Sequence, residues 1–172
     1  MTWKIDTSHS EVGFAVRHMM ISTVRGKFKS FQADIALDPN NLEAAKVTAS
    51  IDASSIDTSE EKRDGHLRSA DFFDVEKYPA LTFTSTKVSR SGTDIEVTGK
   101  LKIKDQEHPI TLKGELSGPG KDPWGNTRIA FSLSGELDRE QWGLTWNQAL
   151  ETGGVLVAKK VKLTIEAQLI QG

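Results

Sequence analysis

The chain has 172 residues, a formal net charge of -2 and no cysteine. That length can bury a real core and reads as one domain over 1–172, while the missing cysteine excludes thiol catalysis, disulfides and thiolate metal sites. Both charge signs are spread along the sequence, which gives no electrostatic reason to expect nucleic acid or an anionic membrane surface as partner.

No apolar run approaches the ~20 residues of a spanning helix. Met1 passes straight into Thr2-Trp3-Lys4-Ile5-Asp6 with neither a basic nor an apolar leader region, so a cytoplasmic location is expected. A chain whose signal peptide had been replaced by Met1 would read the same way and would be periplasmic or secreted.

Trp3 to Asp6 reads as a first short strand. Ser10, Val12, Phe14, Val16 and His18 then share one parity, with Glu11, Gly13 and Arg17 between them, which is the period-two pattern of a half-buried strand. His18 takes the inward slot after Val16, either as a hydrogen-bonded core histidine or as a polar group inside a cavity. Thr23 to Leu37 reads as one bent strand. Val24, Gly26 and Phe28 lie on one parity and Phe31, Ala33, Ile35 and Leu37 on the other, so a β-bulge is expected near Lys29-Ser30. Asp38 to Asn41 is a turn by composition, leading into a helical turn over Leu42 to Ala45, and Val47, Ala49 and Ile51 begin the next strand.

From Thr58 to Asp74 the alternation stops. Thr58-Ser59-Glu60-Glu61 has the hydroxyl-then-acid form of a helix N-terminus, which predicts a helical insertion at about 58–74 with Leu67, Phe72 and Phe73 pointing inward. Alternation returns with Leu81 and Phe83, continues through Ile95 to Ile103 and Ile110 to Leu116, and pauses at a long turn-rich loop over Gly118 to Asn126. Ile129 to Leu137 forms a further strand, Asp138 to Asn147 carries Trp142 and Trp146, and the last strand runs from Val155 to Leu169. Lys159 falls in an inward slot there and needs a bulge, a partner or a route to the barrel mouth. The Lys100-Lys102-Lys104 stripe reads as a solvated outer face.

Many strands at hairpin spacing, each with one apolar face, argue for an all-β antiparallel sheet that packs on a second sheet or closes on itself. Gly26, Gly99, Gly114 and Gly135 all sit on inward parity. They favour closure, and they either leave the interior open or only mark barrel corners. A barrel of about eight strands accommodates both outcomes.

With the strands placed, the chain resembles the YceI-like family of lipocalin-like barrels. The resemblance covers nearly the whole sequence. It rests on Asp6-x-x-His9-Ser10 with Phe14 and His18, on Val24-Arg25-Gly26-x-Phe28, and on Arg63-x-x-His66-Leu67-x-Ser69-x-Asp71-Phe72-Phe73-Asp74. Tyr78-Pro79-x-Leu81-x-Phe83 and the Asp138 to Trp146 segment complete it. Trp142 stands where a smaller aromatic is expected before Gly143, which implies a shortened or reshaped lumen.

The resemblance implies an extended antiparallel barrel of about eight strands, with a tunnel opening beside the 58–79 insertion that binds, carries or stores a long isoprenoid-type lipid. The implied lining is Phe14, Val16, Phe28, Leu67, Phe72, Phe73, Phe83, Leu101, Leu112, Phe131, Leu133, Trp142 and Ile165. A polar headgroup would fall to His9, His18, Arg25, Arg63 and His66; Arg63, His66 and Arg68 either hold a phosphate or close the barrel by pairing with Asp71 and Asp74. No metal, cofactor or chemistry is called for, and a homodimer is left open. The competing reading is a hydrolase or metal-dependent enzyme using His9, His18 and His66, but the four histidines show no HxH or HExxH spacing and no G-x-S-x-G elbow is present.

Overall fold

A computed structural model describes residues 2–147 and 156–171. Among the described residues, eleven strands form one sheet that closes where the first pairs with the last. The strands are β1 (Thr2–Ile5), β2 (Glu11–His18), β3 (Ser22–Phe28), β4 (Phe31–Ala36), β5 (Lys46–Asp52), β6 (Ile56–Asp57) and β7 (Ala80–Ser91). Then follow β8 (Asp94–Ile103), β9 (Gln106–Lys121), β10 (Thr127–Asp138) and β11 (Val157–Gln171). Three pairs of these are single bent strands. A 3-10 turn at Thr7–His9 joins β1 to β2, and both pair with β11, Ile5 opposite Leu169 and Val12 opposite Ile165. Residues 29–30 join β3 to β4, and the 3-10 turn Ala53–Ser55 joins β5 to β6. The result is a closed antiparallel barrel of 8 strands in which every strand pairs with its neighbours in sequence. Residues 19–21, 58–79, 104–105 and 139–147 therefore all fall at one end, and the start of β1 and the end of β11 at the other.

The expected bulge in the third strand is present. Phe28 and Phe31 are both buried although three positions apart, and the ladder bridges the break through Lys29 N–H to the Ser55 carbonyl (3.1 Å) and Asp52 N–H to the Ser30 carbonyl (2.9 Å). A second bulge, between Ser85 and Lys87, carries no signal in the sequence. There the Ser85 hydroxyl accepts the Val47 N–H at 2.9 Å, and the inward parity switches from Phe83 to Val88.

Two predicted boundaries need correction. The expected loop over Gly118 to Asn126 is strand as far as Lys121, because Gly118 (φ +97) and a register shift beside Ile129 let the ladder continue past Pro119. The true turn is held by Asp122, whose carboxylate accepts the N–H groups of Trp124 and Asn126, both at 2.9 Å. Within the predicted helical insertion, only α1 (Glu61–Arg68) is helix, and its cap is Glu60 rather than Thr58. Thr58 is instead buried, its N–H and hydroxyl both directed at Asp64. The predicted start of the last strand at Val155 lies outside the described residues. Lys159 escapes its inward slot because β11 carries extra residues between Val157 and Val161, so it lies exposed beside Glu140 at 3.6 Å.

The four inward glycines are used otherwise than as open space. A Cβ on Gly99 would meet the Phe83 ring at 2.4 Å, and one on Gly26 the Phe14 ring at 2.4 Å. Each glycine is thus covered by an aromatic from the neighbouring strand. Gly114 and Gly135 mark corners: a Cβ on Gly114 would sit 1.7 Å from the Ser132 carbonyl oxygen.

At the terminal end, Trp3, Leu116, Ile129 and Leu169 are almost fully buried and close the barrel. Arg128 locks this end by donating to Asp122 (2.7 Å) and Asp6 (2.9 Å). Hydrogen bonds from Ser8, Arg128 and His9 hold the Asp6 carboxyl well below the usual range, and Arg128 holds that of Asp122 down at about 2. A lowered folded-state pKa contributes stability that is complete above the unfolded value, near 3.8, and is lost as pH falls towards the folded value. Arg128→Met should therefore show its largest stability deficit above pH ~4, narrowing towards pH ~2. Denaturant titrations across that window check this, and a deficit independent of pH would remove the ion pairs as its cause.

Candidate functional site: an apolar lumen

The inward faces of the barrel enclose a cavity of about 280 Å³. It runs from Leu37, Leu42 and Ile95 near the terminal end to Leu67, Phe72, Phe73 and Leu144 at the other. Twelve-residue strands at a barrel tilt make a wall roughly 30 Å tall, so that volume is a slender tube. Gln32 and Arg139 are the polar side chains among its lining residues. At the terminal end the lining residues Leu37, Leu42, Val88 and Ile95 are buried, whereas Phe14, Val16, Leu67, Phe73 and Val157 are half-buried. Ile5, Ala45 and Val47 near the terminal end are half-buried as well, and Phe72, Ile103, Leu137 and Leu144 at the α1 end are buried.

Phe14, Val16, Phe28, Leu67, Phe72, Phe73, Phe83, Leu101, Leu112, Phe131, Leu133 and Ile165 all line this cavity. Trp142 does not. The chain turns back through a 3-10 turn at Arg139–Trp142, which places the Trp142 ring on the rim, fully buried, with Nε1 donating to the Leu101 carbonyl at 2.8 Å and its face against the His108 edge. It closes a corner rather than lining the tube.

The residues expected to hold a headgroup are dispersed. His9 lies in the exposed turn between β1 and β2, where Nδ1 is 2.8 Å from Asp6 and 3.1 Å from Ser8. His18 is half-buried at the far end of β2, nine residues or roughly 30 Å of strand away. Arg25 is exposed on the outer face, opposite Ala15. Arg63 donates to the Thr58 hydroxyl and carbonyl, both at 2.8 Å. His66 bonds Asp71 at 2.9 Å and packs edge-on against Phe72 and Trp146. Arg68 is likewise committed, to the Ser54 and Ile56 carbonyls at 3.0 and 3.2 Å. Arg68 thus fastens the insertion to β6 and the turn before it, while Arg63 and His66 brace the insertion from within.

The same geometry bears on catalysis. A hydrolytic relay needs a serine on one imidazole nitrogen and a carboxylate on the other, but Asp6 and Ser8 share a single nitrogen of His9. His9, His18 and His66 do not converge, and among the described residues no three of His, Asp and Glu stand close enough to hold a metal ion.

Sequence reasoning missed Arg139. It is 3 % exposed, and no carboxylate among the described residues pairs with its guanidinium. Nε donates to the Ala158 carbonyl (2.9 Å), Nη1 to those of Leu144 (2.5 Å) and Trp146 (3.0 Å), and Nη2 to that of Val157 (3.2 Å). Burial pushes its pKa down from the ordinary value, against the opposing pull of Glu140 and Asp138. Asn147 adds a two-way pairing with the Val157 backbone at 2.7 and 3.0 Å. Together they weld residues 144–147 to the start of β11 and build one wall of the mouth. The lone arginine opening the Asp138 to Trp146 segment was the available signal.

A family profile described as the YceI-like domain matches residues 3–169. A UPF0312 protein of Staphylococcus epidermidis is 40% identical over 167 residues, covering 96% of this chain and 95% of its own. The crystal structure of a Campylobacter jejuni YceI protein superposes with a TM-score of 0.79 at 32% identity, over 97% of this chain and 96% of that one. A polyisoprenoid-binding domain from Saccharophagus degradans, implicated in plant cell wall breakdown, shares the fold with a TM-score of 0.75 at 14% identity, over 99% and 98% of the two chains.

Proposed function

The chain belongs to the YceI-like family, and on that premise we propose that its lumen binds one long, slender apolar chain of the isoprenoid type and carries or stores it unchanged. The observation that supports this most is the composition of the tube: hydrocarbon and aromatic walls from Leu42 to Leu144, with no converging polar groups. Such a wall needs no directional contact, because each methylene taken out of water gains on the order of 0.8 kcal/mol. The volume of about 280 Å³ lies just below the ~300–1,000 Å³ range of small-molecule sites, which suits a slender flexible chain better than fused rings. The name of the Saccharophagus domain, as a polyisoprenoid binder on the same fold, favours an isoprenoid over an acyl chain.

Native mass spectrometry of protein purified from its own host tests this. The expected result is a retained adduct that solvent extraction releases and that fragments in five-carbon steps. Adduct-free protein that also excludes apolar fluorescent probes would overturn the lumen reading, and an adduct that fragments as a fatty acid would overturn its isoprenoid part.

A further inference from the structure

The turn joining β2 to β3 is built against local preference. Met19 and Met20 occupy the left-handed region (φ 55 and 64), where asparagine or glycine would rest without strain. Met19, Met20 and Ile21 are also 45, 55 and 78% exposed, so the sequence holds three large apolar side chains in water at a strained turn. The turn lies at the α1 end of the lumen, three residues past the lining residue Val16, and is tied to the start of β11 through Met19 N–H to the Leu156 carbonyl at 2.7 Å.

Charge is concentrated around it. Between Glu11 and Asp34 the chain carries Arg17, Arg25, Lys27 and Lys29 and no carboxylate, although the whole chain has a net charge of -2. Lys29 is held by Asp57 at 3.1 Å. Arg17 is fixed at the tip by donating to the Met20 carbonyl (3.2 Å) and the Thr23 hydroxyl (3.3 Å). Arg25 and Lys27 lie exposed on the outer face of β3, with Lys27 opposite the same Asp57 in the ladder, so one carboxylate stands against the four cations. The spread of charge along the sequence thus conceals a local excess of one sign.

We propose that this hairpin docks the barrel on an anionic lipid bilayer, with Met19, Met20 and Ile21 entering the interface and the β2–β3 cations meeting lipid phosphates. An apolar tip within a basic collar is the surface an anionic bilayer complements. The tip stands beside the lumen mouth, so docking would bring the mouth to the membrane that supplies or receives the apolar chain. That last step rests on the function proposed above, whereas docking itself does not.

Vesicle co-sedimentation of the full chain tests it, using phosphatidylcholine alone and an equimolar mixture with phosphatidylglycerol. The wild type should sediment with the mixed vesicles and not with the neutral ones. Met20→Asn/Ile21→Asn and Arg25→Gln/Lys27→Gln should each lose about tenfold in partitioning. Asparagine tolerates the left-handed turn, so the first variant keeps the fold. Both should retain uptake of an apolar probe measured without vesicles. Wild type that ignores anionic vesicles, or a tip variant that sediments like wild type, overturns the proposal. So does a dimer that the tip variant dissolves with no vesicle binding, which would make the tip a contact between copies. Failure of probe uptake in the wild type would instead count against the lumen reading.

Discussion

Arg139→Met should lower stability by about 4 kcal/mol, more than most single changes do. The guanidinium serves the carbonyls of Leu144, Trp146, Val157 and Ala158 from one planar fork. Each acceptor left without a donor costs about 1–3 kcal/mol when it stays buried, and the mouth lets water reach some of the four. For a domain of this size the loss corresponds to a fall in melting temperature of roughly 8–16 °C. Arg139→Lys should recover little, because an ammonium is a point charge whose three donors cannot span the positions a fork reaches. Thermal unfolding with hydrogen exchange at 144–147 and 156–158 reads the effect. A methionine variant that melts within about 2 °C of wild type, with exchange at those residues unchanged, would show that the carbonyls find other donors and that Arg139 is incidental.

What could be read ahead of the structure follows from where each signal is stored. Phe28 and Phe31 disclosed their bulge because two inward aromatics three apart cannot both be inward on a regular strand. The bulge at Ser85 stayed hidden, since its cause is the Val47 N–H thirty-eight positions away seeking the serine hydroxyl. The aliphatic lining was legible because alternation fixes which face a residue takes. Trp142 was misplaced because alternation ends at Asp138 and the direction of a side chain on a turn is set by what it meets, here the Leu101 carbonyl. His9 and His18 were grouped by the resemblance as headgroup contacts, yet a strand sets them far apart along the barrel wall. The inward glycines were ambiguous for a related reason. Whether a missing side chain leaves a void depends on the neighbour, and at Gly26 and Gly99 the rings of Phe14 and Phe83 occupy the space.

Ala49→Phe should abolish uptake of apolar probes while leaving the barrel at least as stable as before. Ala49 lines the tube on β5, between Ala33 of β4 and Phe83 of β7 in the ladder. A ring added there projects into the slender tube rather than into packed side chains. Burying it gains about 1.5–3 kcal/mol relative to leaving it in water, offset by whatever local crowding it meets, so the melting temperature should stay within about 3 °C or rise. The bore, however, is narrow enough that one ring obstructs it. A barrel whose interior is already full behaves in the opposite way: the same substitution overpacks it and costs about 1–3 kcal/mol, and uptake, absent beforehand, does not change. Measuring both quantities on Ala49→Phe, with Ala33→Phe as a second plug from the adjacent strand, therefore separates an empty tube from a filled core. Retained uptake in both variants, with stability intact, would mean that the apolar chain lies somewhere other than in this lumen.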